Sequence, residues 1–169
     1  MRISEFSSRM KTTFFLAAAL LPLARAAFAA TFTADFNTGT VPAGTSIGGS
    51  AAVTATGGVT NSGVLRLTEN TGGQLGSWTI NDFSAGAAIN GFSSTFKVEF
   101  GPVGGADGFS FNWGTNVTLA GFFEEGYGTG LTVEFDTFDN GGGEAPAIDI
   151  KWKGTEIAKS PVPFDFSAA

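Results

Sequence analysis

Two acidic residues lie close together in the segment 131–140, which reads LTVEFDTFDN. Apolar and polar residues alternate along it, and this period of two predicts a β-strand. Glu134 and Asp136 then point to the same face of that strand, roughly 6–7 Å apart along the chain. Carboxylates placed this closely repel each other unless they are solvated, one of them takes up a proton, or a cation lies between them.

The residues that follow are rich in oxygen donors and in glycine. Asp139, Asn140 and Glu144 flank the three glycines 141–143. Such a loop offers carboxylate, amide and carbonyl oxygens on a backbone that is free to wrap around a hard cation. The chain contains no His and no Cys. Ser-His-Asp and Cys-His catalytic groups and the usual zinc sites are therefore excluded, and calcium is favoured over a transition metal.

Residues 1–30 have the pattern of a signal peptide. Basic residues precede the apolar run 14–21, and the small residues that follow end at Ala30 in an A-x-A-like cleavage site. An uncleaved membrane anchor is the alternative, but the apolar run is too short to span a bilayer. We therefore predict a protein that is secreted or displayed at the cell surface, with a single mature domain at 31–169.

The charge of the mature segment argues against polyanionic partners. Of the nine Lys and Arg residues four lie in 1–30, and of the 15 Asp and Glu residues one does, so 31–169 has a net charge of −9. Such a surface repels nucleic acid and anionic lipid, and it suits cations and neutral ligands. No apolar run in 31–169 is long enough to span a membrane.

The rest of the mature segment predicts short strands and tight turns. No stretch longer than a turn has helical periodicity, and the whole chain contains 25 glycines. The pattern predicts two packed antiparallel sheets, an all-β fold. We predict strands at 31–37, 51–56, 64–69, 76–82, 92–100, 107–114 and 131–140, a mostly loop-like region at 38–63, and a hairpin at 147–159 that turns at Lys153-Gly154.

The large apolar residues of three of these strands share one parity. We expect them to face inward and to form the core between the sheets. These residues are Phe96, Val98, Phe100, Phe109, Phe111, Trp113, Val133 and Phe135.

Three motifs in this order resemble the L-type (legume-like) lectins. They are FSSTFKVEF at 92–100, ADGFSF at 106–111 and LTVEFDTFDN at 131–140, and the match covers most of 64–158. The resemblance implies a concanavalin-like jelly-roll sandwich of two antiparallel sheets. It also implies a non-catalytic activity, the binding of a carbohydrate or glycoconjugate.

The resemblance further implies roles for single residues. Asp136 would be the central calcium ligand, with the backbone oxygen of Phe138, the side-chain oxygen of Asn140 and, as a substitute acid, Glu144. Glu134 matches the family's ligand to a second, transition metal. Asp107 and Asn140 would contact the sugar, together with the loosely matched Gly126-Tyr127-Gly128 loop.

The sequence departs from the family at two places. Ala147 stands near the position of the histidine that helps to hold the transition metal, so we do not expect that metal to bind. Family domains continue for several strands after the hairpin, so we expect the C-terminal strands of the sandwich to be missing from this sequence.

Two alternatives stay open. The spacing Glu134-x-Asp136-x-x-Asp139 resembles the E-x-D-x-x-E strand of family 16 glucanases, which share this sandwich architecture. A retaining glycosidase would need two carboxylates about 5–5.5 Å apart. The other alternative is a structural or adhesion module that keeps the fold and does not bind sugar.

Overall fold

The computed structural model describes residues 29–101, 107–117, 119, 124–128 and 130–162. The predicted signal peptide, 1–30, falls almost wholly outside these residues. Within them the fold is all-β, as the sequence predicted, with one 3-10 turn at Val59–Asn61. The strands are β1 Thr45–Gly49, β2 Ala52–Thr54, β3 Val64–Arg66, β4 Gly76–Ile80, β5 Gly108–Trp113, β6 Leu131–Asp136, β7 Ala147–Trp152 and β8 Thr155–Pro161.

The strands form three antiparallel sheets. β1 pairs with β4, β2 pairs with β3, and the largest sheet has the order β5-β6-β7-β8. The predicted hairpin is present: β7 and β8 are joined at Lys153 and Gly154, which both have positive φ, 53° and 74°. Two successive positive φ values are typical of the tight turns whose twist matches that of paired strands.

Several predicted strands were shorter or absent. β2, β3 and β4 confirm three of them within narrower limits, and β1 lies inside the region predicted as mostly loop. The segments 31–37 and 92–100 are not strands. Alternation at 92–100 is necessary for a strand but not sufficient, because a strand also needs a neighbour to complete its backbone hydrogen bonds. Its rings pack instead on β5, with Phe92 stacked 4.3 Å from Trp113.

The predicted core was wrong for two of its eight residues, and the other six are less buried than predicted. Phe96 and Val98 are exposed, and the other six side chains are only half-buried. Among the described residues, the only buried apolar side chains are Ala51 and Ala147. An open cavity of about 3900 Å³ is lined by β3, β4, β5 and the segment 83–101, so the rings of β5 border open space. It is several times larger than the roughly 300–1,000 Å³ of an ordinary ligand pocket, so we do not interpret it as a binding site.

Candidate functional site

The two carboxylates of β6 lie on one face of the largest sheet, as predicted. Along β6, buried Thr132, Glu134 and Asp136 alternate with half-buried apolar residues. The strand ends at Asp136, short of the predicted limit at 140. Its carboxylate accepts a hydrogen bond from the backbone N–H of Phe138 (3.1 Å), a local turn that ends the extended backbone.

We call this side of the sheet the polar face. It is formed by Ser110 and Asn112 of β5, Thr132, Glu134 and Asp136 of β6, Asp149 and Lys151 of β7, and Lys159 of β8. The opposite side, the apolar face, carries Phe109, Phe111 and Trp113 of β5, Leu131, Val133 and Phe135 of β6, and Ile148 and Ile150 of β7.

Glu134 has a lysine as its counter-ion. Only 1% of the residue is exposed, and the Nζ of Lys151 lies 2.6 Å from its Oε2. Burial raises the pKa of Glu134, and the adjacent ammonium opposes that shift without cancelling it. Burial also tends to lower the pKa of Lys151, but hydrogen bonds to Glu125 and Glu134 outweigh it, and the pKa rises.

Asp149 has the same kind of partner. It lies directly opposite Glu134 in the register and is 4% exposed, and its Oδ2 accepts a 2.9 Å bond from Lys159 of β8. The sequence analysis missed Asp149, Lys151 and Lys159. Their signal was present, since the polar residues of β7 alternate with Ile148 and Ile150 as those of β6 alternate with apolar residues.

Asp136 differs from both of these acids. It is 8% exposed, yet it has no ion-pair partner within 4 Å among the described residues. Burial is the main reason that its pKa is raised, and the negative charges of Glu144 and Asp149 add to the shift, while the hydrogen bond from Phe138 and the positive charge of Lys159 oppose it. Among the described residues, Asp136 is therefore the buried carboxylate of the polar face that has no ammonium in direct contact, and it is the one that precedes the oxygen-rich loop.

That loop is coiled around its own acidic side chains. Asp139 accepts hydrogen bonds from the backbone N–H groups of Gly141 (2.8 Å) and Gly143 (3.1 Å), and Glu144 accepts one from Asn140 (2.6 Å). The glycines 141–143 all have positive φ, a conformation that other residues rarely adopt.

The predicted metal donors are only partly gathered. Asp136, Phe138, Asn140 and Glu144 lie at the exit of β6 and in the loop that follows it. Within the part of the chain that the structure describes, no three Asp or Glu side chains form a cluster able to hold a metal ion. The donor set is nevertheless one of hard oxygens, so it fits calcium in chemistry, and Asp136, a buried carboxylate without an ammonium in contact among the described residues, fits it in charge.

Asp107 lies beside this loop. It directly precedes β5, and its backbone oxygen accepts bonds from both the N–H (3.0 Å) and the hydroxyl (2.9 Å) of Thr137. Gly108 pairs with Asp136 in the register, which places Asp107 at the same end of the sheet as Asp136. The structure thus brings the predicted sugar-contacting aspartate next to the predicted calcium ligand.

The segment 124–128 lies across the polar face. The backbone N–H of Tyr127 donates to the side-chain oxygen of Asn112 (2.9 Å), and Gly126 is so close to Thr132 that an added Cβ would lie 2.3 Å from its Cγ2. Burial raises the pKa of Glu124, and Asp107, Glu125 and Asp136 add to the shift. Glu124 is therefore near the Asp136 end of the face, while Tyr127 is near its other end.

Comparisons with models of protein families, with curated proteins and with solved structures gave no match. The resemblance to L-type lectins therefore rests on the sequence motifs alone. No helix in the described part of the chain has the length and apolar character needed to cross a membrane.

Proposed function

We propose that this chain is an exported, non-catalytic carbohydrate-binding module of the L-type lectin kind, with its 136–144 loop organised by one calcium ion. The observation that carries the proposal is the difference between the three buried carboxylates of the polar face. Glu134 and Asp149 are each paired with a lysine, whereas Asp136 is not. A buried carboxylate without a contacting cation is costly, and the more distant charge of Lys159 offsets only part of that cost, so a cation bound at Asp136 would stabilise it further.

The calcium ion would be held by Asp136, the backbone oxygen of Phe138, the side-chain oxygen of Asn140 and Glu144. When bound, it supplies positive charge and a fixed centre for the loop. Glu144 now accepts a bond from the backbone of Asn140, so it already lies against the loop that it would close. A loop fixed in this way presents its polar groups without an ordering cost when a ligand binds.

The sugar would lie beside this loop. The carboxylate of Asp107, whose backbone is bonded to Thr137, would accept hydrogen bonds from sugar hydroxyls. The side-chain amide of Asn140 would both donate and accept them, with Gly126 and Tyr127 on the neighbouring segment. The concanavalin-like jelly roll is the architecture that we propose for the complete domain. Its motivation is the antiparallel sheet β5-β6-β7-β8, which has one apolar face whose β5 rings border a large cavity.

The glucanase alternative is less well supported by this geometry. Glu134 is almost fully buried and ion-paired, so it is poorly placed to reach a substrate. Asp139, the third acid of that motif, is occupied by the backbone N–H groups of its own loop. Glu134 thus lacks the accessible position that a glycosidase acid or nucleophile needs, and Asp139, although exposed, already accepts several backbone hydrogen bonds.

Calorimetry with calcium, and a glycan array probed with and without a chelator, test the proposal. Asp136→Asn should abolish calcium binding, while Asp107→Ala should leave it intact and remove glycan binding. Asp82→Asn is a matched control, because Asp82 also accepts backbone N–H bonds within a loop but follows β4. Wild-type protein that binds calcium but no glycan would favour the adhesion alternative. Wild-type protein without calcium affinity would overturn the proposal.

A further inference from the structure

Lys151 connects the sheet to the segment 124–128. Its side chain is 13% exposed, and its Nζ contacts two carboxylates that come from different parts of the fold. One is Glu134 of β6, at 2.6 Å; the other is Glu125, which is 26 residues away in sequence. The same Nζ also lies 3.4 Å from the backbone oxygen of Glu125.

Two further contacts hold the segment at the same place. Gly126 packs on the side chain of Thr132, and the N–H of Tyr127 bonds to Asn112. Thr132 pairs with both Asn112 and Lys151 in the sheet register, so the three anchoring residues form one row across β5, β6 and β7. The row fixes 124–128 directly above the polar face.

The 137–144 loop is joined to the start of β5 at Thr137, whose N–H and hydroxyl bond to the backbone oxygen of Asp107, but no ion pair anchors it among the described residues. Its internal hydrogen bonds go to Asp139 and Glu144, and no lysine pairs with either of those acids there. The two segments that flank the proposed sugar site are thus held by different means. The polar face offers an ammonium to one of them and an unpaired carboxylate, Asp136, to the other.

We propose that Lys151 is a positioning residue that holds the 124–128 segment on the polar face independently of calcium. Its ammonium neutralises Glu134 and at the same time binds the carboxylate and backbone of Glu125. That the segment 124–128 contacts a sugar rests on the proposed function. The Lys151 clamp, by which we mean the contacts of its ammonium with Glu125 and Glu134, does not, because it involves only residues of this chain.

Amide hydrogen exchange of the full chain separates the two segments. The N–H of Tyr127 reports on 124–128, since it bonds to Asn112, and the N–H of Gly143 reports on the other loop, since it bonds to Asp139. Glu125→Gln should speed exchange at Tyr127 by about two- to five-fold, the scale of a partly exposed ion pair, and leave Gly143 unchanged. Removal of calcium by a chelator should speed exchange at Gly143 and leave exchange at Tyr127 unchanged.

Lys151→Met should speed exchange at Tyr127 more than Glu125→Gln does, but it also leaves Glu134 buried and unpaired. Glu125→Gln avoids that problem, because Glu125 is exposed and the pair of Lys151 with Glu134 stays intact. Lys151→Arg, which keeps the charge, should restore much of the protection that Lys151→Met loses. This rescue distinguishes a charge clamp from simple packing.

Unchanged exchange at Tyr127 in Glu125→Gln would overturn the proposal, and so would loss of Tyr127 protection on removal of calcium from wild-type protein. These outcomes are distinct from failure of the proposed function. If calcium does not bind at all, Gly143 will not respond to the chelator, but the response of Tyr127 to Glu125→Gln still tests the clamp.

Discussion

The two faces of the sheet β5-β6-β7-β8 are opposite to expectation. Its polar face contains the buried residues, Glu134, Asp136 and Asp149 among them, whereas the aromatic residues of its apolar face stay half-exposed. The reason is what lies above each face. The segment 124–128 is docked on the polar side, while on the apolar side the rings of β5 border the large cavity.

The two faces are stabilised by different interactions, apolar burial on one and ion pairing on the other. On the apolar face, burial of rings against one another gives a non-directional contribution that grows with the area removed from water. On the polar face, Glu134 and Asp149 depend on their lysines, because removal of one partner leaves a charge without water or counter-ion. Substitutions on the two faces should therefore lower the free energy of unfolding by different amounts and with different pH dependence.

Lys151→Met should have the largest effect on stability. It leaves Glu134 buried without its ammonium, and breaking a buried ion pair in this way typically costs about 3–5 kcal/mol. The free energy of unfolding in urea measures the loss. The double variant Lys151→Met/Glu134→Leu should recover most of it, because an apolar pair of similar size avoids the uncompensated charge. Equal losses in the single and the double variant would contradict this account of the polar face.

Phe135→Ala should have a smaller effect. The ring of Phe135 packs on Phe109 and Phe96, with centroid distances of 5.7 and 6.4 Å, but it is only half-buried. We expect a loss of about 2 kcal/mol, less than the 3–5 kcal/mol typical of a fully buried phenylalanine. Phe138→Ala, at an exposed ring just after β6, should cost less than about 0.5 kcal/mol. A loss of the full size for Phe135→Ala would show that a further layer covers the apolar face.

Alternation in sequence predicted the faces of the sheet but not which face is buried. A period of two correctly placed Glu134 and Asp136 on one side of β6, and the turn at Lys153-Gly154 followed from local chemistry. What covers a face depends on segments that are distant in the chain. Nothing in the local pattern of β7 indicates that Lys151 pairs with Glu125, 26 residues before it.

The 92–100 segment shows the same limit for strands. Its alternation is regular, and its rings do reach the apolar face, where Phe96 packs on Phe111. Its backbone forms no strand because strand formation requires a neighbour at the right distance, which alternation cannot encode. The turn-rich loop after β6 could be predicted for a different reason, since its run of glycines and acids is a local signal.

Two glycine substitutions test how closely the polar face is covered. Gly126 and Gly142 have nearly equal φ, 88° and 90°, so alanine should cause similar backbone strain at both positions. Only at Gly126 would the new Cβ collide with Thr132, while at Gly142 no atom lies within 4 Å. Gly126→Ala should therefore lower the free energy of unfolding in urea by about 1 kcal/mol more than Gly142→Ala does. The difference stays this small because the segment 124–128 can move away from the sheet to relieve the collision. Equal losses would show that 124–128 is not docked on the sheet.

The smallest expected effect is an alkaline pH dependence that belongs to the polar face alone. Hydrogen bonding to Asp149 raises the pKa of Lys159, and Glu125 and Glu134 raise that of Lys151, above the ordinary value of 10.5. The folded state then binds these protons more tightly than the unfolded state does. Their stabilisation is fully present below the unfolded value and is lost as pH rises through the raised values in the folded state.

Unfolding in urea between about pH 8 and pH 11 measures this dependence. The free energy of unfolding should fall toward the alkaline end, and the slope should be shallower in Lys159→Met, which removes one of the two groups. Lys153→Met is the matched control, because Lys153 lies at the hairpin turn over the ring of Trp152 and off the polar face. The slope of Lys153→Met should equal that of the wild type. If Lys159→Met also keeps the wild-type slope, the pair of Lys159 with Asp149 adds nothing to stability, and the polar face depends on Lys151 alone.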